Sequence, residues 1–180
     1  MDYTCFSHGQ IVSKIWLCDQ IEPYLNNASI AILGGWYNVL GFMLLTRFGN
    51  KIKSITSYDI DQTTKPIADK ITDTWLNKTV HNIITDVNTV NLSEYNIVLN
   101  CSPEHMYENR WFDNISKDTL VCIQSSNVTI PSDPWLVVNP NVSLKNLSMK
   151  YPLSSLIYAD ELAITYDSWG YKRFMIIGKK

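Results

Sequence analysis

The sequence predicts an α/β fold: a mostly parallel, seven-stranded sheet with helices on both faces and an antiparallel hairpin at the C-terminus. Three features predict it. The run Ile30-Ala31-Ile32-Leu33 meets Gly34-Gly35, passes through a helix-like stretch and returns as a second strand-like run, Ile52 to Tyr58, that ends on Asp59. That is one βαβ unit. Apolar runs then keep alternating with segments of helical period, the pattern of a parallel sheet covered on both faces. The last two strand-like runs instead follow each other directly, separated only by Thr165-Tyr166-Asp167-Ser168-Trp169-Gly170, so the chain closes in a hairpin.

Taken in order, Ile11, Ile15, Leu17, Cys18, Ile21 and Leu25 recur mostly at three- and four-residue steps, which predicts an amphipathic helix that Pro23 ends or bends. Phe6-Ser7-His8-Gly9-Gln10 lies ahead of it, either to cap that helix or to fold over a ligand crevice as a lid. Ser29 to Gly34 is the first strand, central because it is almost wholly apolar. Val39 to Phe48 is a short helix stopped by Gly49-Asn50, and Lys51 to Tyr58 is the second strand. Asp61 is placed to cap the next helix, Thr63 to Leu76, where Ile67, Ile71 and Trp75 form a buried stripe and Pro66 falls in the first turn. Strands follow at Val80 to Thr85, Tyr95 to Leu99 and Thr119 to Gln124, with a helical piece around Met106 to Phe112. The exit Ser125-Ser126-Asn127 should reach the same rim as the other strand ends. Pro131, Pro134 and Pro140 make the next segment irregular, Val142 to Met149 is a short helix, and Leu156 to Ile164 and Tyr171 to Gly178 are the closing strands. One domain of residues 1–180 is expected, with 1–28 as an N-terminal helical cap on a core of 29–180.

Composition narrows the partners. The 180 residues are 46% hydrophobic and 18% charged, enough for one proper core. A net charge of -2 with scattered Lys and Arg supplies no basic face for a nucleic-acid backbone. No apolar run approaches the ~18 residues of a membrane helix, and the N-terminus lacks the basic-then-apolar signature of export. Cys5, Cys18, Cys101 and Cys122 sit in apolar segments without ligand spacing, so they read as reduced thiols and not as a metal site. The expectation is a cytoplasmic protein with a small-molecule substrate, no membrane or nucleic-acid partner and no metal, with a homo-oligomer left open.

The chemistry is expected where the strands end. Glycines after the first strand let the backbone turn sharply and approach a ligand, while the following helix presents its N–H groups. Asp59, with Ile60 beside it, faces the same crevice, where a carboxylate accepts the hydroxyl protons of a ribose. A nucleoside-containing cofactor is the implied ligand. His105 follows a strand on that rim, and a reference pKa of about 6.5 suits it to act as a base. Glu104 either orients His105 or binds a cationic substrate. The other reading of the pair is that Pro103 and Glu104 begin a helix on which His105 is an ordinary first-turn residue. Trp36, Tyr37 and Trp111 are candidate pocket aromatics, since ring faces attract cations, the other reading being that they are ordinary core residues. Cys101 reads as a strand-end core residue and not as a nucleophile.

This order of parts resembles the class I S-adenosylmethionine-dependent methyltransferases, whose Rossmann-like sheet ends in just such a reversed strand. The resemblance runs from roughly Ser29 to Lys179. It implies that Ile32-Leu33-Gly34-Gly35-Trp36-Tyr37-Asn38 corresponds to the motif that cradles the methionine part of the cofactor. It matches Asp59, with Ile60, to the ribose-binding acid, and Asp86, with Val87, to the polar position that meets the adenine amino group. Asn100 to His105 takes the place of the fourth motif, where many members keep substrate-contacting groups. Trp36 and Asn38 stand where the family pattern has glycines, and the fourth motif is neither the Asn-Pro-Pro-aromatic nor the Pro-Cys type. The chain is also similar to small methyltransferase-like proteins of bacteriophages, through Ser7-His8-Gly9-Gln10, Gly34-Gly35-Trp36-Tyr37, Glu104-His105-Met106 and Arg173-Phe174-Met175. The resemblance implies methyl transfer from S-adenosylmethionine to a small acceptor. The alternatives are cleavage of the cofactor or transfer of its aminocarboxypropyl group, as in nicotianamine synthase-like proteins, and a non-catalytic cofactor-binding module.

Overall fold

Four apolar positions in a row, Ile30 to Leu33, alternate between the two faces of a central strand, and each face buries its own set. The computed structural model describes residues 2–73, 79–128 and 137–180. Its strands are β1 (Ala28–Leu33), β2 (Ile52–Asp59), β3 (Thr79–Ile84), β4 (Ile97–Asn100), β5 (Leu120–Ser126), β6 (Ser155–Thr165) and β7 (Gly170–Lys179). They form one sheet in the order β3-β2-β1-β4-β5-β7-β6. The first five strands are mutually parallel where they pair, and β7 runs antiparallel to both β5 and β6. The parallel strands therefore end on one rim, with Leu33 beside Tyr58 and Asn100. Because β7 is reversed, its early residue Arg173 pairs with Ser126 at that same rim.

Helices α1 (His8–Ile21), α2 (Val39–Phe48), α3 (Lys65–Thr72), α4 (Arg110–Asp113) and α5 (Leu144–Lys150) cover the sheet. On one face Leu17, Cys18 and Ile21 of α1 and Leu44, Leu45 and Phe48 of α2 pack on Ile30, Ile32, Leu99 and Cys122. On the other, Trp111, Phe112, Leu147 and Tyr151 pack on Ala31, Leu33, Val98 and Val121. Each fully buried aliphatic side chain of this kind contributes about 1.5–3 kcal/mol. All four cysteines are free thiols. Among the described residues no helix is long and apolar enough to cross a membrane.

Several boundaries differ from the sequence expectation. The first helix begins at His8 and ends at Ile21, because Glu22-Pro23-Tyr24 tightens into a 3-10 turn. Its buried stripe is Gly9, Ser13, Leu17, Cys18 and Ile21, and Ile15 is exposed. Ser7 sits at its N-cap without a side-chain bond. Gly49 stops α2 through a right-handed 3-10 turn, not through a left-handed cap. Asp61 does not cap α3, which starts at Lys65; its Oδ1 accepts the N–H and hydroxyl of Thr63 in the turn ahead. Ile67 and Ile71 are partly buried as expected, while Trp75, Leu76, Pro131 and Pro134 lie outside the described residues. The piece from Met106 to Phe112 is helical only from Arg110, since the Pro103–His105 segment closes a separate 3-10 turn.

Candidate active site

The turn after β1 alternates backbone hand: Gly34, Trp36 and Asn38 have φ of 65°, 52° and 55°. For Trp and Asn this left-handed conformation costs about 1–3 kcal/mol each, so the surroundings must hold it. They do so through hydrogen bonds. Gly35 N–H donates to Tyr58 O at 3.0 Å, and Asn38 N–H donates to Gly35 O at 2.8 Å. Trp36 N–H donates to Asp59 Oδ2 at 2.7 Å. Gly35 lies so close to β2 that a Cβ there would come within 1.9 Å of Ser57 Oγ, which is why the second glycine is needed. Asn38 caps α2: its Oδ1 accepts from Gly41 N–H, and its Nδ2 donates to Asn82 Oδ1 at 2.8 Å. The Trp36 ring stacks on Tyr37 at 5.0 Å, and the Tyr37 hydroxyl accepts the Asp2 N–H.

Asp59 was expected to face a ligand alone, and the structure corrects this. Oδ2 holds Trp36, and Oδ1 accepts the Asp61 N–H at 2.9 Å. Burial raises its pKa, against the lowering effect of the Asp61, Trp36 and Ile60 backbone donors. A carboxylate has about four lone-pair positions, so with these three backbone donors around it one is left for a further donor. Ile60, next in the chain, is 74% exposed, an apolar side chain presented at the rim. Asp86 Oδ1 accepts the N–H and Nδ2 of Asn88, and Val87 is buried. Asn100 is fully buried; its Oδ1 accepts the Ser102 N–H and its Nδ2 donates to Met106 Sδ. Ser102 Oγ in turn donates to Gly34 O at 3.3 Å, which joins the loop after β4 to the turn after β1.

Glu104 and His105 part company. Glu104 is buried, accepts from Ser125 Oγ at 3.0 Å and from Ser126 Oγ at 3.4 Å, and pairs with Arg173 Nη1 at 3.5 Å. Its backbone oxygen also accepts the N–H groups of Val138 and Asn139. His105 is exposed at the end of the 3-10 helix Pro103–His105, so Pro103 and Glu104 do begin a helical turn with His105 in it, a 3-10 turn and not an α-helix. Trp111 is no pocket aromatic; it is completely buried against Phe112 and Tyr151.

The N-terminal helix closes over this part of the rim. Gly9 N–H donates to the Tyr166 hydroxyl at 3.1 Å, His8 meets the Tyr166 ring edge-on, and a Cβ at Gly9 would come within 2.1 Å of the Tyr171 hydroxyl. Lys14, one turn beyond Gln10, donates to Gln10 Oε1. Burial, and then the nearby Arg173 charge, push the Lys14 ammonium down to about 8, partly opposed by Cys101. The sequence reading missed Lys14, Arg173 and the buried pair Ser125 and Ser126 as site residues. Two serines after Gln124 at the end of an otherwise apolar central strand were the available signal. Among the described residues no group of three His, Cys, Asp or Glu side chains could hold a metal ion.

No family model and no curated protein sequence matches the chain, and the likeness to bacteriophage proteins has no counterpart there. Solved structures do match. YcgJ from Bacillus subtilis superposes with a TM-score of 0.71 at 12% identity, over 94% of this chain and 98% of that one. The N-methyltransferase NodS from Bradyrhizobium japonicum gives 0.72 at 9% identity, over 95% and 97%. TrmK from M. capricolum, solved with the cofactor product S-adenosyl-homocysteine, gives 0.55 at 20% identity, over 89% and 67%. At these identities the likeness is one of fold, and the fold is the Rossmann-like one of the N-methyltransferase NodS, with the C-terminal hairpin of β6 and β7 in place.

Proposed function

We propose that the chain is an S-adenosylmethionine-dependent methyltransferase acting on a small-molecule acceptor. The observation that carries this reading is the 2.7 Å bond from Trp36 N–H to Asp59 Oδ2, which fixes the glycine turn against the acid at the tip of the neighbouring strand. The residues fit the cofactor. Asp59 keeps a lone pair for a ribose hydroxyl, exposed Ile60 offers an apolar surface to an adenine face, and the left-handed turn from Gly34 to Asn38 offers backbone to the methionine part. Val87, buried behind Asp86, supports the adenine side.

When bound, this cofactor supplies a methyl group on a sulfonium, and the protein must align the acceptor and remove a proton where the acceptor carries one. In this reading His105, exposed on the loop that Ser102 ties to Gly34, takes that proton on its imidazole. Glu104 holds the loop from below through Ser125, Ser126 and Arg173, as a positioning residue. A small acceptor is favoured because the described residues form one sheet with its covering helices and no second sheet.

Thermal unfolding with S-adenosylmethionine, S-adenosylhomocysteine and NAD tests the cofactor, because a ligand specific to the native state at ~100 times its Kd stabilises by about 2.7 kcal/mol. A rise with the first two and not with NAD is expected; no rise with either at millimolar concentration refutes the reading. Product analysis then separates the chemistries. S-adenosylhomocysteine is expected, and methylthioadenosine would mean transfer of the aminocarboxypropyl group instead.

A further inference from the structure

At the β5 and β7 end of the rim, Arg173 is nearly buried opposite Ser126 and faces the Tyr171 ring, yet among the described residues its Nε and Nη1 groups have no hydrogen-bond partner. The anion it faces, Glu104 Oε1, is 3.5 Å away and already accepts from Ser126. Native interiors rarely leave buried donors unsatisfied, because each loses its water without recompense. Lys14 brings a second cation from α1: the backbone oxygen of its neighbour Ser13 accepts from Gln124 Nε2 at 2.9 Å, and Gln124 stands two residues before Ser126, the strand partner of Arg173. Among the described residues these two cations face the one buried carboxylate of Glu104. On the same network Asn141 Nδ2 donates to Ser125 Oγ, while Asn141 Oδ1 is a buried acceptor with no donor. Position in the sheet assigns the cluster to the acceptor's side. β7 lies three strand spacings from β1, roughly 14 Å at about 4.8 Å each, and Asp59 on β2 lies a spacing farther.

We infer that Lys14 and Arg173 receive the carboxylate of the methyl acceptor, so that the substrate is a small carboxylic acid, with Asn141 Oδ1 accepting an N–H or O–H beside that carboxylate. The inference deepens the methyltransferase reading and rests on it for the word acceptor. Arginine suits the role because its planar fork matches a carboxylate and its charge survives burial. Glu104, tied to Ser125 and Ser126, keeps the fork at a fixed place while its Nε stays without a hydrogen-bond partner among the described residues.

Calorimetric titration of the full chain saturated with S-adenosylhomocysteine, using acid and amide pairs (acetate and acetamide, benzoate and benzamide, succinate and succinamide), tests it. At least one acid is expected to bind about tenfold or more tighter than its amide. That preference should vanish in Arg173→Gln and shrink in Lys14→Met. If Arg173→Gln does not fold, Arg173→Lys and Lys14→Met decide between them, because a fork-bound carboxylate is weakened by either. Equal binding of acids and amides, no binding by any of them, or a preference that survives the variants overturns the inference. So does Arg173→Gln erasing the preference for S-adenosylhomocysteine over methylthioadenosine, since the carboxylate received would then be the cofactor's own. Failure of S-adenosylhomocysteine to bind while the acid preference persists would sink the methyltransferase reading and leave the carboxylate site standing.

Discussion

Asp59 Oδ2 lies 2.7 Å from the backbone nitrogen of Trp36, so the residue that ends the second strand also holds the strained turn after the first. Removing that carboxylate therefore has two effects. Asp59→Ala is expected to lower the stability of the ligand-free chain by about 1.5–3 kcal/mol, the range for losing a charged hydrogen bond, and to abolish the thermal shift with S-adenosylhomocysteine. Asp59→Asn keeps an acceptor for Trp36 and should lose ligand affinity with a smaller loss of stability. Denaturant unfolding and calorimetry on the two variants check this; unchanged affinity in folded Asp59→Ala would make the residue purely structural.

Gly35 and Ser57 form a second coupled pair. A methyl group at Gly35 would meet Ser57 Oγ at 1.9 Å, so Gly35→Ala should cost about 1–3 kcal/mol through overpacking. In Gly35→Ala with Ser57→Gly the clash is gone and most of that loss should be recovered. A double-mutant cycle measures it, and strictly additive effects would show that the turn does not rest on β2 as described.

His105 carries the catalytic part of the proposal. His105→Ala should reduce turnover by about 10²–10⁴-fold with cofactor affinity nearly intact, as general-base losses do. His105→Gln keeps hydrogen bonding and cannot cycle a proton at neutral pH, so it should be as impaired as Ala. Full activity in the Gln variant would reduce His105 to a positioning group.

Lys14 leaves a signature in the pH dependence of stability. Burial first, and the Arg173 charge after it, lower its pKa to about 8 in the folded chain, from 10.5 unfolded, against the opposing effect of Cys101, Cys5 and Cys18. Between those values the unfolded chain holds the proton that the folded chain has lost, so the Lys14 contribution to the unfolding free energy rises with pH. Below about 8 both states are charged and the full cost of burial is present. Lys14→Met should therefore be more stable than the wild type by about 1–3 kcal/mol at pH 7, with the advantage gone by pH 10.5. The thiols of Cys101 and Cys18, pushed up to about 11 and about 12 chiefly by burial, titrate in the folded chain above that window. A difference that stays flat across this window would place the ammonium in water.

Much of the sheet was legible because its strands are short apolar runs bounded by glycine or polar rim residues, and β1, α2 and β2 fall within a residue or so of where those runs placed them. The turn chemistry was half legible. Two glycines announced a sharp turn, but that Trp36 would share the left-handed conformation, and that Asp59 would hold it, depends on how close β2 lies. Glu104 and His105 looked like a working pair because they are adjacent in sequence. Neighbours on a tight turn diverge, and Ser125, Ser126 and Arg173 draw one of them inward. Nothing in the sequence pairs Arg173 with Glu104, because that meeting needs β7 reversed and inserted beside β5. Trp111 stood between pocket and core until the fold buried it, because residue type does not distinguish a core aromatic from a binding one.

The hydrogen bond from Gly9 to Tyr166 joins positions 157 residues apart, and Tyr171 leaves no room for any side chain at Gly9. On a ribosome this gives the chain an unusual order of events. The first helix emerges early and can rest on α2, but its N-terminal turn has no partner until the closing hairpin has left the exit tunnel, so the end made first is secured last. During that interval Leu17, Cys18 and Ile21 must rest on β1, α2 and their neighbours alone. A nascent chain stalled before Tyr166 is therefore expected to stay open to protease around His8 and Gly9 while its parallel strands are already protected, and release of the final residues should close that window in a single step.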